Sequence, residues 1–165
     1  MTFRQLENSA ARIFVVNDRV NQMLIQHLEP AAWKSAPPGK VRTIAAIFTH
    51  MHNVRCKWVR LTAPQLKVPP LLNRARCTPQ QARTALEESA TRCAEMLANV
   101  DIKTFRRDGW AQPSPVGPEM LCYMVSHEAH HRGQVCMIAH QLGFPLSNSV
   151  TSAMWNWEKI SVASD

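Results

Sequence analysis

Two histidines four residues apart, His127 and His131, are the side chains whose type and spacing most directly suggest chemistry in this sequence. On an α-helix, side chains at positions i and i+4 project from the same face about one turn apart, so both imidazoles can reach a single ion. Neutral imidazole is a common ligand for zinc, nickel, copper and ferrous iron. Met120, Met124 and Ile138 continue the same stripe, which predicts that the pair faces the protein interior.

A third histidine, His50, is the candidate for a further ligand from a facing helix. It shares an apolar face with Ile47, Val54 and Trp58, whereas His52 is rotated by about 200° and should point away. An i,i+4 pair also occurs by chance, and a lone inward histidine is commonly a hydrogen-bonded core residue. Three inward histidines would each carry a burial cost unless they had partners. Together they predict a metal site.

The sequence does not identify a general base. Glu128 follows His127 directly but lies about 100° around the helix, so we expect it to be exposed to solvent. Tyr123 and Gln134 are candidates to line a pocket. Two cysteines of the same segment do not share the stripe of both histidines, and we expect them to be small apolar fillers rather than ligands: Cys122 and Cys136.

Four long helices are predicted to position these residues. Apolar side chains recur at steps of three and four residues, the helical period, in four segments. These are approximately residues 6–28, 41–61, 79–99 and 119–142. A capping box at Thr78-Pro79-Gln80-Gln81 starts the third helix, and Gly143 follows the fourth. The tail around Trp155 and Trp157 predicts a short fifth helix or a packed cap. No segment alternates as a strand does, so we expect an all-α four-helix bundle in a single domain, residues 1–165.

Composition and charge narrow the class of protein. The chain has 165 residues, of which 45% are hydrophobic, and a formal net charge of +7. Its basic residues are scattered, and no motif of a known DNA reader accompanies them, so we expect no specific nucleic-acid partner. Five cysteines without a C-x-x-C pair favour a reducing compartment. Without a signal-peptide pattern or a membrane-spanning apolar run, we expect a cytoplasmic protein with no membrane partner.

The string from His127 to Gln134, HEAHHRGQ, together with His50 in a segment that ends in Trp58, resembles the DinB/YfiT-like superfamily of candidate metalloenzymes. The resemblance extends from the first predicted helix to the end of the fourth. It implies an up-down-down-up four-helix bundle with a short C-terminal helix, which often forms a homodimer. It also implies that His50, His127 and His131 bind a divalent ion, with nickel or zinc favoured over iron or manganese.

The resemblance gives His130 a supporting role, because it matches a further family position but lies roughly 80° from the ligand stripe. One departure is the segment 51–55, MHNVR, where many relatives have an acidic residue. A pocket carboxylate is therefore not expected from that segment.

Three protein ligands leave a coordination position for water or substrate, the arrangement of catalytic sites. Such an ion could lower the pKa of bound water, present a thiolate or polarise a carbonyl. The family resemblance favours a metal-dependent enzyme acting on a small molecule, either a transferase or isomerase that uses a low-molecular-weight thiol, or a hydrolase. The alternative is a noncatalytic metal-binding or stress-related interaction protein. A homodimer is also expected, because apolar residues remain beside the single core stripe of the first two helices: Phe14, Val15, Ile44 and Phe48.

Overall fold

The computed structural model describes residues 3–36, 39, 41–107 and 115–162, which form helices joined by turns and loops. These residues include no β-strand. The elements are α1 Phe3–His27, a 3-10 turn Pro30–Ala32, α2 Ile44–Thr62, α3 Pro79–Asn99, α4 Pro118–Gln141, α5 Asn148–Ala153 and α6 Trp157–Val162. The predicted all-α class is confirmed. The tail forms two short helices where the sequence predicted one helix or a cap.

Capping side chains explain where two of the long helices begin. Thr43 accepts a hydrogen bond from the Ala46 backbone amide at 3.2 Å, so α2 begins at Ile44 and not at residue 41 as predicted. The predicted capping box of α3 is present, because Thr78 and Gln81 exchange backbone-to-side-chain hydrogen bonds of 3.0 and 3.2 Å.

Two apolar clusters, one at each end of the bundle, define its topology. The first combines the end of α1, the start of α2, the start of α3 and the end of α4, as shown by Leu24, Ile47, Leu86 and Ile138. The second combines the opposite ends of the same helices: Phe14, Trp58, Leu97 and Met120. Helices α1 and α4 therefore run in one direction and α2 and α3 in the other, which is the predicted up-down-down-up bundle.

Three of the residues that motivated a homodimer are buried within the chain itself. Phe14, Ile44 and Phe48 have no exposed surface, and Val15 is half-buried. The prediction that these side chains were left over for an intermolecular contact is wrong, because α1 and α2 each bury more than one stripe against the other helices. None of the helices in the described ranges is long and apolar enough to cross a membrane.

Candidate metal centre

The structure brings His50, His127 and His131 together between α2 and α4. One ring nitrogen from each lies within 4.8 Å of the other two. His127 Nε2 lies 3.3 Å from His50 Nε2. His131 is buried and the other two histidines are half-buried, so the cluster lies at the edge of the core where a small molecule can approach it. The two α4 residues share one face of that helix, and α2 supplies the third from across the bundle.

The spacing of these nitrogens fits a shared metal ion. Zinc–imidazole bonds are about 2.0–2.1 Å long, and two ligands at a tetrahedral angle then lie about 3.3 Å apart. The His50–His127 separation has this value. At 4.8 Å or less, the third nitrogen is within reach of the same ion after a side-chain adjustment. The donor set is entirely imidazole, which suits borderline divalent metals such as zinc and nickel.

The hydrogen bonds around the cluster leave nitrogen lone pairs available. Gln134 Oε1 accepts a 2.7 Å hydrogen bond from His131 Nδ1–H, so that the lone pair of His131 is on Nε2. This contact fixes the tautomer and the ring orientation, as partners of metal-binding histidines do. His127 Nδ1 is buried and has no hydrogen-bond partner in the described part of the chain. The nitrogen of His127 that faces His50 is the other one, Nε2, and it is therefore the candidate ligand atom.

All three imidazoles are neutral at physiological pH. Burial, together with the charges of His131 and Arg42, lowers the pKa of His50 to about 4. Burial and the two neighbouring histidines also lower the pKa of His127 to about 4. The pKa of His131 is lowered by burial, which outweighs the opposing effect of its hydrogen bond to Gln134. Because only neutral imidazole binds a metal, these shifts keep the cluster in its ligand form.

Aromatic side chains pack around His127 and hold its ring in place. The Tyr123 ring lies nearly parallel to it, with 6.1 Å between ring centroids. Trp58 meets the same imidazole edge-on at 5.5 Å. His130 is exposed, with its ring centroid 5.3 Å from that of His131. The structure thus places the three predicted neighbours, Tyr123, Gln134 and His130, beside the cluster, and Gln134 forms a hydrogen bond with the candidate ligand His131.

His52 lies apart from the cluster, on a different side of α2. Its ring nitrogens contact Ser89 Oγ at 3.2 Å and the Pro70 carbonyl at 2.9 Å, so it is a buried residue with its own hydrogen-bond partners. Cys122 is exposed, so the expectation that it fills apolar space is wrong. Cys136 is half-buried, and neither cysteine belongs to the three-histidine group.

Glu128 is fully buried, and the expectation that it would be exposed is wrong. Arg55 donates to it twice, from Nε to Oε1 at 2.6 Å and from Nη2 to Oε2 at 2.7 Å. The Arg55 guanidinium also reaches Asp18 Oδ1 at 2.7 Å. Burial alone would raise the pKa of the Glu128 carboxyl, but Arg55, Asn21 and Arg132 together outweigh burial, and the pKa lies below its ordinary value. This carboxylate is therefore an ionised structural group.

Two asparagines of α1 complete the buried polar network and join it to α4. The side-chain amides of Asn17 and Asn21 donate to Glu128 Oε2 at 2.6 and 2.7 Å. Their oxygens accept from Arg132 Nη1 at 2.8 and 2.9 Å. Glu128 and Arg132 each follow a candidate ligand in the sequence, so the network fixes the rotation of α4 that points those histidines toward α2. The local sequence pattern does not predict this network, although both asparagines lie on a helical stripe with Phe14.

Comparison with known proteins identifies the family of this chain. No curated protein matches the chain. The model of the DinB family matches residues 4–156, which include all four long helices and the three clustered histidines. The chain therefore belongs to the DinB family.

Proposed function

We propose that the protein is a metal-dependent enzyme whose single divalent ion is held by His50, His127 and His131. The observation that carries the proposal is the 3.3 Å separation of two imidazole nitrogens in a cluster of three neutral histidines. Nickel or zinc suits an all-imidazole donor set best, with iron or manganese as alternatives. When bound, the ion would supply Lewis acidity and would lower the pKa of a coordinated water or thiol.

The protein's own side chains would prepare the site for that chemistry. Gln134 orients His131, and Trp58 and Tyr123 restrict the ring of His127. Three protein ligands leave a coordination position open, as in catalytic zinc sites and unlike closed structural sites. The buried carboxylate of Glu128 is engaged by Arg55 and two asparagines, so it is not available to act as a general base.

The reaction we propose is the transfer or isomerisation of a small molecule with a low-molecular-weight thiol, and the alternative reaction is hydrolysis. A turnover screen separates them. Tag-free protein loaded with nickel, zinc, iron or manganese would be assayed with thiol-plus-electrophile pairs and, separately, with activated esters. Activity that requires both metal and thiol supports the first reaction, and metal-dependent ester cleavage without thiol supports the second.

The test variant and its control in this screen both lie on α4. His127→Ala should abolish turnover, whereas His140→Ala, at an exposed position near the end of α4, should retain it. Absence of metal-dependent turnover across both panels would contradict an enzyme and favour a noncatalytic metal-binding or stress-related interaction protein.

We also propose a homodimer in the cytoplasm. Membership of the DinB family supports the homodimer. The five cysteines, none of which forms a disulfide, support the reducing cytoplasm. Sedimentation at high micromolar concentration tests the dimer. A chain that stays monomeric there would contradict it.

A further inference from the structure

A cavity of about 460 Å³ lies beside the candidate metal centre, and His50 forms part of its wall. This volume falls within the range of small-molecule sites. Its polar lining comes from the region of α2 and from the loop between α2 and α3: Arg42, Thr49, His50, Asn53, Asn73 and Arg74. A molecule in this cavity would contact the same imidazole that belongs to the three-histidine cluster.

Paired hydrogen bonds hold the loop wall of the cavity against α2. The Asn53 amide donates to the Leu72 carbonyl at 3.1 Å and accepts from the Leu72 backbone amide at 2.9 Å. Asn73 then organises the following turn, because its side-chain oxygen accepts from the Ala75 amide at 2.9 Å and its carbonyl accepts from Cys77 at 3.0 Å. The segment that carries Arg74 is therefore fixed in position before any ligand binds.

The cavity is positively charged. Its lining includes two arginines, Arg42 and Arg74, and no aspartate or glutamate. Within the described ranges, neither guanidinium forms an ion pair or a hydrogen bond with another side chain. Arg42 lies close enough to the cluster for its charge to lower the pKa of both His50 and His131. A small molecule in the cavity would therefore lie close to both the arginine charges and the candidate metal centre.

We propose that this cavity, the Arg42/Arg74 pocket, binds the anionic group of a small substrate, a carboxylate or a phosphate, and holds the molecule against the His50 side of the metal centre. The planar guanidinium matches both groups because its N–H donors bind two oxygens of one anion. The inference rests on the proposed function and adds the charge of the substrate. A fixed anion subsite would orient the reacting part of the molecule toward the three histidines.

The test is direct anion binding, measured by calorimetry or by NMR titration at constant ionic strength. The probes are succinate, inorganic phosphate and, as an uncharged analogue, succinamide. Protein as isolated and protein treated with a chelator are both titrated, because an anion could otherwise bind to the metal itself. We expect succinate or phosphate to bind both forms and succinamide to bind neither. The anion with the higher affinity identifies the group for which the pocket is suited.

The variants are Arg42→Gln, Arg74→Gln and the double substitution, with Arg76→Gln as the matched control. Arg76 is exposed in the same loop but does not line the cavity. The double variant should weaken anion binding about tenfold or more, since hydrogen bonds between charged groups are lost. Arg76→Gln should leave the affinity unchanged. An equal loss in Arg76→Gln, or the absence of anion binding by the wild-type protein, would overturn the proposal.

Elemental analysis of the same samples separates this proposal from the proposed function. Metal bound at one equivalent without anion binding would refute the pocket alone. Anion binding that depends on Arg42 and Arg74 in a protein that takes up no metal would refute the metal-dependent enzyme and retain the pocket.

Discussion

Replacing Arg55 by methionine should destabilise the protein by about 3–5 kcal/mol, the range measured when one partner of a buried ion pair is removed. Arg55 is fully buried, and its guanidinium makes hydrogen bonds of 2.6–2.8 Å to Glu128, Asp18 and the Leu86 carbonyl. Methionine fills much of the same volume but leaves both carboxylates buried with fewer donors. Single domains are stable by only about 5–15 kcal/mol, so the loss is large.

Urea unfolding monitored by circular dichroism measures this effect. With a slope of about 2 kcal/mol per molar urea, the midpoint should fall by about 1.5–2.5 M. Arg60→Met is the matched control, because Arg60 is exposed on the same helix, and it should shift the midpoint little. A cost below about 1 kcal/mol for Arg55→Met would contradict a stabilising role for the buried ion pairs of Arg55.

The pH dependence of the same variant gives a second check. In the wild-type protein the pKa of Glu128 is lowered, so its contribution to stability is present above the ordinary carboxyl pKa and is lost as the pH falls through the lower folded value. Without Arg55, fewer groups oppose the effect of burial, so the folded pKa of Glu128 rises and acidification destabilises the variant less than the wild type. The difference in stability between wild type and Arg55→Met should therefore narrow from pH 7 to pH 4. A constant difference would contradict a charge-based role.

Two further predictions concern the histidine cluster. Gln134→Ala removes the acceptor for His131 Nδ1–H and should weaken metal binding about 10- to 100-fold. Gln141→Ala, at an exposed position of the same helix, should leave metal affinity unchanged. Competition with a chelator measures both affinities, and equal values would contradict the orienting role of Gln134. Metal-free protein should lose stability as the pH falls from about 6.5 toward 4, because His50 and His127 then bind protons more readily in the unfolded chain than in the folded one. A constant urea midpoint across this range would contradict the lowered pKa values.

The helices and the meeting of the three histidines could be predicted because both depend on local periodicity. His127 and His131 share a face by their spacing alone, and His50 lies among apolar residues of a facing helix. The capping box at Thr78 and the glycine at 143 marked helix ends in the same local way. The direction of the helices required more than periodicity, and it came from the family resemblance.

The burial of Glu128 could not be predicted from one apolar stripe. Helix α4 contacts both α1 and α2, so it buries two faces, and a residue 100° from the ligand stripe still lies in the core. The polar residues on this second face are stabilised by partners on other helices, which a local pattern does not reveal. Asn17 and Asn21 show the same effect on α1, where they are fully buried although their residue types are typical of surfaces.

The metal content of the purified protein shows directly whether the three histidines hold an ion. Tag-free wild-type protein should contain about one equivalent of a divalent ion by elemental analysis, and His50→Ala, His127→Ala and His131→Ala should each lose most of it. His52→Ala should retain it, because that ring is held by Ser89 and the Pro70 carbonyl away from the cluster. Full metal content in both α4 histidine variants, or loss in His52→Ala with retention in His50→Ala, would contradict the three-histidine metal centre.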